Sequence, residues 1–420
     1  MRKKIKRTFI LKYSVLLYLT AAAWYLLTAG EGRHAAVSFF KNMETVKTEQ
    51  TSEVSTSTRF RYEKEFQNTL NRYGFFRSQY QADYSTAVPG LESTDILGES
   101  CNQMVPQGIC VAGDYMLVTA YDNGAPAGNK TENRREVNPS VLYVLSNRNP
   151  ENRQLLTTVV LPDINHVGGV AFDGTNIWIA KSTDRQCSVI SYDTIQQAAG
   201  SGKSSYKLPE YDQNVSCGAV ASFVTWHDNR LWVGTYGNRV SGMGMLRSYT
   251  VEKQMTEEGE RFTLKKQEEI VIPGFANGVT FTEQGGVTCM AVSTSRGRYF
   301  HSNIYFYQVV KDDFTGKNLY CCYNTCSFPP MAEELVCDGE TTYLLFESSA
   351  TCYSTPAYLK CIYPVDRICA FSSSRLFWMN QRGILRRTVE RAERMSVRFS
   401  WDKAYQERKY WQQYIAQTGI

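Results

Sequence analysis

The chain has 420 residues, of which 43% are hydrophobic and 13% aromatic, with 12 Cys and a formal net charge of +5. That length and apolar share exclude a wholly disordered chain and leave room for a large packed core. The positive charge sits at the ends: residues 1–12 carry six Lys/Arg and no acid, residues 382–409 nine Lys/Arg against four Asp/Glu, so the body between them is mildly acidic and has no nucleic-acid footprint.

The chain opens on Arg2, Lys3, Lys4, Lys6 and Arg7 and then turns apolar, with Lys12 the only charge from Thr8 to Ala29. A run of this length crosses a bilayer at about 1.5 Å per residue. Lys12 is placed to snorkel, and Trp24 and Tyr25 suit the far interface. The basic cluster predicts a cytoplasmic start and an extracytoplasmic body, held at the cell membrane by a single pass. The alternative is a secreted protein, released by cleavage at Ala21–Ala23 or Ala29-Gly30. Residues 1–30 are thus read as the basic start and anchor, and 31–95 as a polar stalk followed by a packing helix, in which Tyr62, Phe66, Leu70 and Tyr73 recur at helical spacing.

From residue 96 the chain repeats itself. Near-matching stretches begin at Gln107, Gly168, Ser222, Asn277 and Glu333, spaced by 61, 54, 55 and 56 residues. Each is a short apolar strand, a turn and a second strand. The turns are Gly113-Asp114, Asp173-Gly174, Asp228-Asn229, Gly285-Gly286 and Asp338-Gly339, residue types that tolerate positive φ and close hairpins. A period of roughly 40–60 residues with several strands per unit predicts an all-β, five-bladed β-propeller over 96–375. Third strands are expected at Val141–Leu145, Val189–Tyr192, Leu246–Val251, Asn303–Val310 and Arg367–Phe371. Fourth strands are expected at Leu155–Leu161, Ser205–Leu208, Phe262–Ile272 and Leu319–Ser327, with residues 95–105 supplying an outer strand that closes the ring. Residues 376–420 read as a C-terminal helical segment. The alternative is a degenerate sixth blade, suggested by Arg382-Gly383-Ile384.

In a propeller the first strand of each blade lines the central channel and the second runs antiparallel to it. The start of one and the end of the other therefore share a mouth. The first-strand starts are Gln107, Gly168 with His166 before it, Ser222, Asn277 and Glu333. The second-strand ends are Tyr121-Asp122, Lys181-Ser182, Thr235-Tyr236, Ser295-Arg296 and Glu347-Ser348. The candidate ligand-binding residues are accordingly Gln107, Asp122, His166, Lys181, Ser222, Tyr236, Asn277, Arg296, Glu333 and Glu347, with Lys181 and Arg296 expected to balance Glu333 and Glu347. Two readings follow. One is a membrane-anchored binding or interaction module for a small molecule or an extracellular polymer or protein, with the insertion Asn123–Pro139 shaping its surface. The other is a metal-assisted hydrolase or lyase, in which Glu333 and Glu347, with the Gln107 and Asn277 amides, would hold calcium and His166 would act as base.

The even Cys count beyond an export segment predicts disulfides, with Cys352–Cys361 a reasonable local pair. Other motifs carry less. Gly200-Ser-Gly-Lys-Ser lacks the first glycine of a phosphate loop, and neither Gly-x-Ser-x-Gly nor His-Glu-x-x-His occurs. Asn129-Lys-Thr and Asn214-Val-Ser are glycosylation sequons. Pro106-Gln-Gly-Ile, His166-Val-Gly-Gly-Val, Pro329-Pro-Met-Ala-Glu-Glu and Leu345-Phe-Glu-Ser-Ser-Ala resemble exported bacterial β-propeller proteins related to the lactonase-like and quinoprotein-like propellers. The resemblance covers about residues 100–372. It implies the fold and little chemistry, since no stretch here matches the metal-site acids of lactonase propellers.

Overall fold

The computed structural model describes residues 60–378, apart from 92–95, 98–100, 102–103, 124–136, 238–242, 258, 313–315 and 355–359. The expected anchor, most of the stalk, most of the Asn123–Pro139 insertion and nearly all of the C-terminal segment lie outside these residues. Among the described residues no helix is long and apolar enough to cross a membrane.

Five antiparallel blades are present, each with its first three strands in chain order from the axis outward. Blade 1 is Met104–Ala112, Tyr115–Asp122, Val141–Ser146 and Leu155–Val160. Blade 2 is Val167–Phe172, Asn176–Lys181, Gln186–Ser191 and Gln213–Ser216. Blade 3 is Phe223–His227, Arg230–Thr235, Gly244–Thr256 and Gly259–Ile272. Blade 4 is Ala276–Gln284, Val287–Thr294, Ser302–Lys311 and Asn318–Phe328. Blade 5 is Ala332–Asp338, Thr341–Phe346 and Arg367–Ser372, completed by Tyr80–Ala87.

Two strands differ from expectation. Ser205–Lys207 adds in parallel to the outer edge of blade 1, pairing Thr158 with Ser205, and Gln213–Ser216 takes the fourth place in blade 2. A helix over Tyr192–Gly200, capped by the Ser191 hydroxyl on Thr194 N–H, carries the chain out to the neighbouring blade before it returns. Ring closure comes from upstream of residues 95–105. Tyr80–Ala87 pairs antiparallel with Arg367–Ser372, so one blade joins the two ends of the described chain.

The sheets pack face to face, as their alternation demands. Five apolar clusters fill the five gaps between neighbouring blades. Ile109 and Val118 meet Leu345 and Ile368 between blades 1 and 5, while Ala171 and Trp178 meet Val224 and Leu231 between blades 2 and 3. The hairpin turns obey the sequence: Asp228 and Asn229 both adopt left-handed backbone, φ 51° and 53°. A helix over Glu63–Arg72 and a short one over Gly74–Gln79 lie against blades 4 and 5. There Phe76 contacts the rings of Phe328, Phe346 and Phe371 edge-on.

Among the described residues no two cysteine sulfurs lie at disulfide distance. Cys352 and Cys361 are both buried and unbridged, so the expected local disulfide is not formed. Cys187 and Cys217 approach to 3.5 Å between sulfurs, beyond the ~2.05 Å of a disulfide.

Candidate functional site

The first strands of four blades begin with a register break. It falls between Pro106 and Ile109 in blade 1, Val167 and Gly169 in blade 2, Ala276 and Gly278 in blade 4, and Ala332 and Leu335 in blade 5. A bulge re-aims the side chain it displaces. Here the displaced residues Gln107, Gly168, Asn277 and Glu333 all face one cavity of about 470 Å³ at the mouth of the channel. Blade 3 has no such break and contributes Ser222, the residue just before its first strand.

Of the ten sequence-predicted residues, seven line this cavity: Gln107, His166, Ser222, Tyr236, Asn277, Glu333 and Glu347. Asp122, Lys181 and Arg296 do not. Neighbouring residues on an extended chain face opposite ways, and in three of the second-strand pairs the cavity takes the other member, Tyr121, Ser182 or Ser295. Asp122 instead accepts hydrogen bonds from Asn138 N (2.9 Å) and Nδ2 (2.7 Å). Lys181 is buried and forms ion pairs with Asp163 and, at 3.1 Å, with Asp184. Arg296 is exposed, its guanidinium over the rings of Phe275 and Phe300. The expected pairing of Lys181 and Arg296 with Glu333 and Glu347 is therefore replaced.

What holds the two acids is each other and two amides. Gln107 Nε2 donates to Glu347 Oε2 at 2.9 Å, and Asn277 Nδ2 to Glu333 Oε1 at 3.0 Å. The two carboxyl groups lie close enough that each shifts the other's acidity. Burial, and then the neighbouring Glu347 carboxyl, push Glu333 well above the usual carboxylate range. Burial lifts Glu347 to about 7, against hydrogen bonds with Gln107, Glu333 and Tyr353 and the charge of Arg298. Near neutrality the pair thus shares a proton, with Glu333 as the acid and Glu347 as the stronger anion. Tyr353, on the short helix Thr351–Ser354, completes this wall, and its ring carries the Arg298 guanidinium at 5.0 Å. The His166 ring lies tilted at 44° against Tyr121, centroids 4.6 Å apart, and its Nδ1 is 3.2 Å from Ser182 Oγ. Burial lowers its pKa, which leaves a neutral imidazole.

A third acid sits next to the pair. Glu334 is buried, and its Oε2 accepts the backbone N–H groups of Ile109 (2.8 Å) and Val170 (3.0 Å), from blades 1 and 2. Gly169 makes room for it: a Cβ there would stand 2.8 Å from Glu334 Oε1 and 2.7 Å from Val224 N. One acid of the Glu333-Glu334 dipeptide therefore lines the mouth, while the other ties first strands together across the axis.

Comparison with known proteins comes from solved structures, since no protein-family model and no curated protein matches the chain. The glutaminyl cyclase of Myxococcus xanthus aligns at 10% identity over 65% of this chain and 90% of its own, with a TM-score of 0.35. The PQQ-bound aldose sugar dehydrogenase of Streptomyces coelicolor aligns at 14% identity over 66% and 83%, TM-score 0.31. A putative 6-phosphogluconolactonase from Bacteroides uniformis aligns at 13% over 56% and 75%, TM-score 0.30. These neighbours are β-propeller proteins. The likeness is one of fold.

The cavity does not fit the calcium site expected from the sequence. Both amides turn nitrogen, not oxygen, toward the carboxylates. Reversing either would set an amide oxygen against a carboxylate oxygen, whereas Ca²⁺ takes six to eight oxygen ligands. Among the described residues no cluster of three or more His, Cys, Asp or Glu is arranged to hold a metal. Sequence reasoning missed Tyr121, Ser182, Ser295 and Tyr353. The first three sat beside the residues chosen. Tyr353 follows the second strand of blade 5 on a helix that no repeat register reaches.

Proposed function

We propose that this chain is a binding module, tethered to the membrane by its N-terminal apolar run with the propeller outside, and that its ligand occupies the mouth cavity. The observation that carries the reading is the Glu333/Glu347 carboxyl pair facing that cavity, Glu333 buried and Glu347 part-buried. Burying two acids in contact costs several kcal/mol without compensation, and such a cost fits a site whose ligand makes use of them. A thermal-shift screen of the full chain with metals, sugars, lactones and amines tests it. A ligand at 100 times its Kd adds about 2.7 kcal/mol to stability. The reading requires a compound that raises the melting temperature of the native chain and not that of Glu333→Gln. Compounds that shift both equally would place binding elsewhere.

A second reading rests on the shared proton itself. Two neighbouring carboxyls, one protonated and one ionised near neutrality, suit general acid–base catalysis. In that reading Glu347 takes a proton and Glu333 gives one, while His166, engaged with Ser182, stays neutral. Glycoside hydrolysis by two separated carboxylates is a poor match, because that chemistry needs them about 5–9.5 Å apart. Turnover of the captured ligand by the native chain separates catalysis from binding, and a Glu347→Gln variant that still binds the ligand without turning it over would assign the base.

A further inference from the structure

We infer that the ligand of the mouth cavity is a small organic cation, a primary amine whose ammonium group seats on the Glu333/Glu347 carboxyl pair and whose carbon body lies against Tyr121, Tyr236 and Tyr353. This rests on the cavity being a ligand site. Three observations point to this class of ligand. First, no Lys or Arg side chain lines the cavity among the described residues; the charge of Arg298, which acts on Glu347, lies over the Tyr353 ring, so an anionic ligand would meet the carboxyl pair with no cation lining the cavity. Second, each acid takes one amide N–H, from Gln107 or Asn277, and both amides are engaged by those contacts. The acids keep acceptor capacity that an ammonium, with three donors, is built to fill. Third, three tyrosines from blades 1, 3 and 5 supply the π-faces that cations prefer. A volume of about 470 Å³ admits a small organic molecule rather than a bare ion.

The groups facing the pair are Glu334, His166, Tyr121, Tyr236, Tyr353, Cys352, Cys361 and the guanidinium of Arg298. Burial, and for Tyr353 first the charge of Glu347, keeps the three tyrosines and both thiols protonated and His166 neutral. Burial raises Glu334 well above the usual carboxylate range as well, against its backbone hydrogen bonds, but Glu334 does not line the cavity. The carboxyl pair is thus the cavity-lining element that changes charge as the pH passes through neutrality. An ammonium placed on it favours the doubly ionised form, so the Glu333 proton leaves to solvent as the cation enters, and affinity rises with pH.

The test is calorimetric titration of the full chain in potassium chloride with phenethylammonium, its neutral isostere 2-phenylethanol, xylose and calcium chloride, with a pH-stat counting protons. The expected result is saturable binding of phenethylammonium, release of up to one proton per site, affinity at least tenfold higher at pH 8 than at pH 6, and no binding of 2-phenylethanol. Glu347→Gln and Glu333→Gln should each weaken phenethylammonium at least tenfold, with near-ultraviolet dichroism showing the propeller intact. Should one variant fail to fold, the proton count on the native chain still decides. Binding of xylose, or of calcium without the amine, in a manner abolished by Glu333→Gln, would keep the cavity as the ligand site and overturn the ammonium. No binding of phenethylammonium, or binding without proton release or pH dependence, would also overturn it.

Discussion

Glu347 Oε2 and Gln107 Nε2 meet at 2.9 Å, although 240 residues separate them in the chain. The bond spans the junction between blade 5 and blade 1, so an acid of the site is held by the blade on the far side of the ring closure. Glu347 has a pKa of about 7 in the folded protein, raised above 4.5 by burial. A raised carboxyl contributes stability that is present below the unfolded value and lost as the pH climbs through the folded one. The native chain should therefore lose stability between about pH 4.5 and pH 8. Glu347→Gln keeps an acceptor for Gln107 and has no charge to bury. Its advantage over the native chain in urea denaturation should be near zero at pH 4 and grow to roughly 3 kcal/mol at pH 8. An advantage that is the same at pH 4 and pH 8 would mean that the carboxyl is not titrating between them.

Glu334 should behave as a fold residue, not as a binding one. Its carboxylate answers two buried N–H groups from two different blades. Glu334→Ala would leave both without an acceptor, at about 1–3 kcal/mol each. Glu334→Gln keeps one acceptor oxygen and should recover part of the loss. Gly169→Ala should cost a similar amount from the other side, because its Cβ would meet Val224 N and Phe223 Cα at 2.7–2.8 Å, and backbone cannot swing away. Chemical denaturation of the three variants checks this. Equal stability of Glu334→Ala and the native chain would show that the axial contacts contribute nothing.

The ring, its blade count and the mouth were legible in the sequence because repetition reports on them directly: five turns of the right chemistry at near-constant spacing leave little freedom of topology. Two features escaped for identifiable reasons. The bulges at Gln107, Gly168, Asn277 and Glu333 shift facing by one residue relative to the partner strand, so a repeat alignment could name the right pair of residues and still choose the wrong member, as at Asp122, Lys181 and Arg296. The closing strand Tyr80–Ala87 belongs to no repeat. Its partner Arg367–Ser372 is nearly 300 residues away, and only long-range pairing identifies it.

Lys181 offers a direct check on that facing. Its ammonium is buried between Asp163 and Asp184, which are themselves about one-third exposed, and it sits 5.0 Å from the Tyr211 ring. Lys181→Met keeps the apolar stem. It leaves two partly hydrated carboxylates close together, so the loss should be modest, about 1–2 kcal/mol. Whatever ligand the mouth binds should bind with unchanged affinity, within a factor of two. A loss of binding comparable to that of Glu333→Gln would return Lys181 to the site and remove the facing assignment for blade 2.

Arg367 and Asp366 secure the N-terminal helix to the blade that closes the ring. Their side chains are 4% and 1% exposed and form an ion pair at 2.9 Å. Asp366 Oδ2 accepts Tyr62 N–H at 2.7 Å, and Arg367 reaches Glu63 at 2.9 Å. The guanidinium carbon lies 3.7 Å from the centroids of both Phe60 and Phe66. Glu63 is more than half exposed, so its share is small; the buried Asp366 decides the energetics. Arg367→Met preserves length and apolar contact but strands a buried carboxylate, a change that typically costs about 3–5 kcal/mol. Arg367→Lys should recover little, since an ammonium cannot fill a planar slot between two rings while pairing edge-on. The double variant Arg367→Met/Asp366→Asn has no unpaired charge and still offers an acceptor to Tyr62, so it should be more stable than Arg367→Met alone, by at least about 1 kcal/mol. A double-mutant cycle by urea denaturation measures this. Additive losses would mean that the two residues stabilise the closure independently, and the clasp would then be a matter of aromatic packing around Arg367.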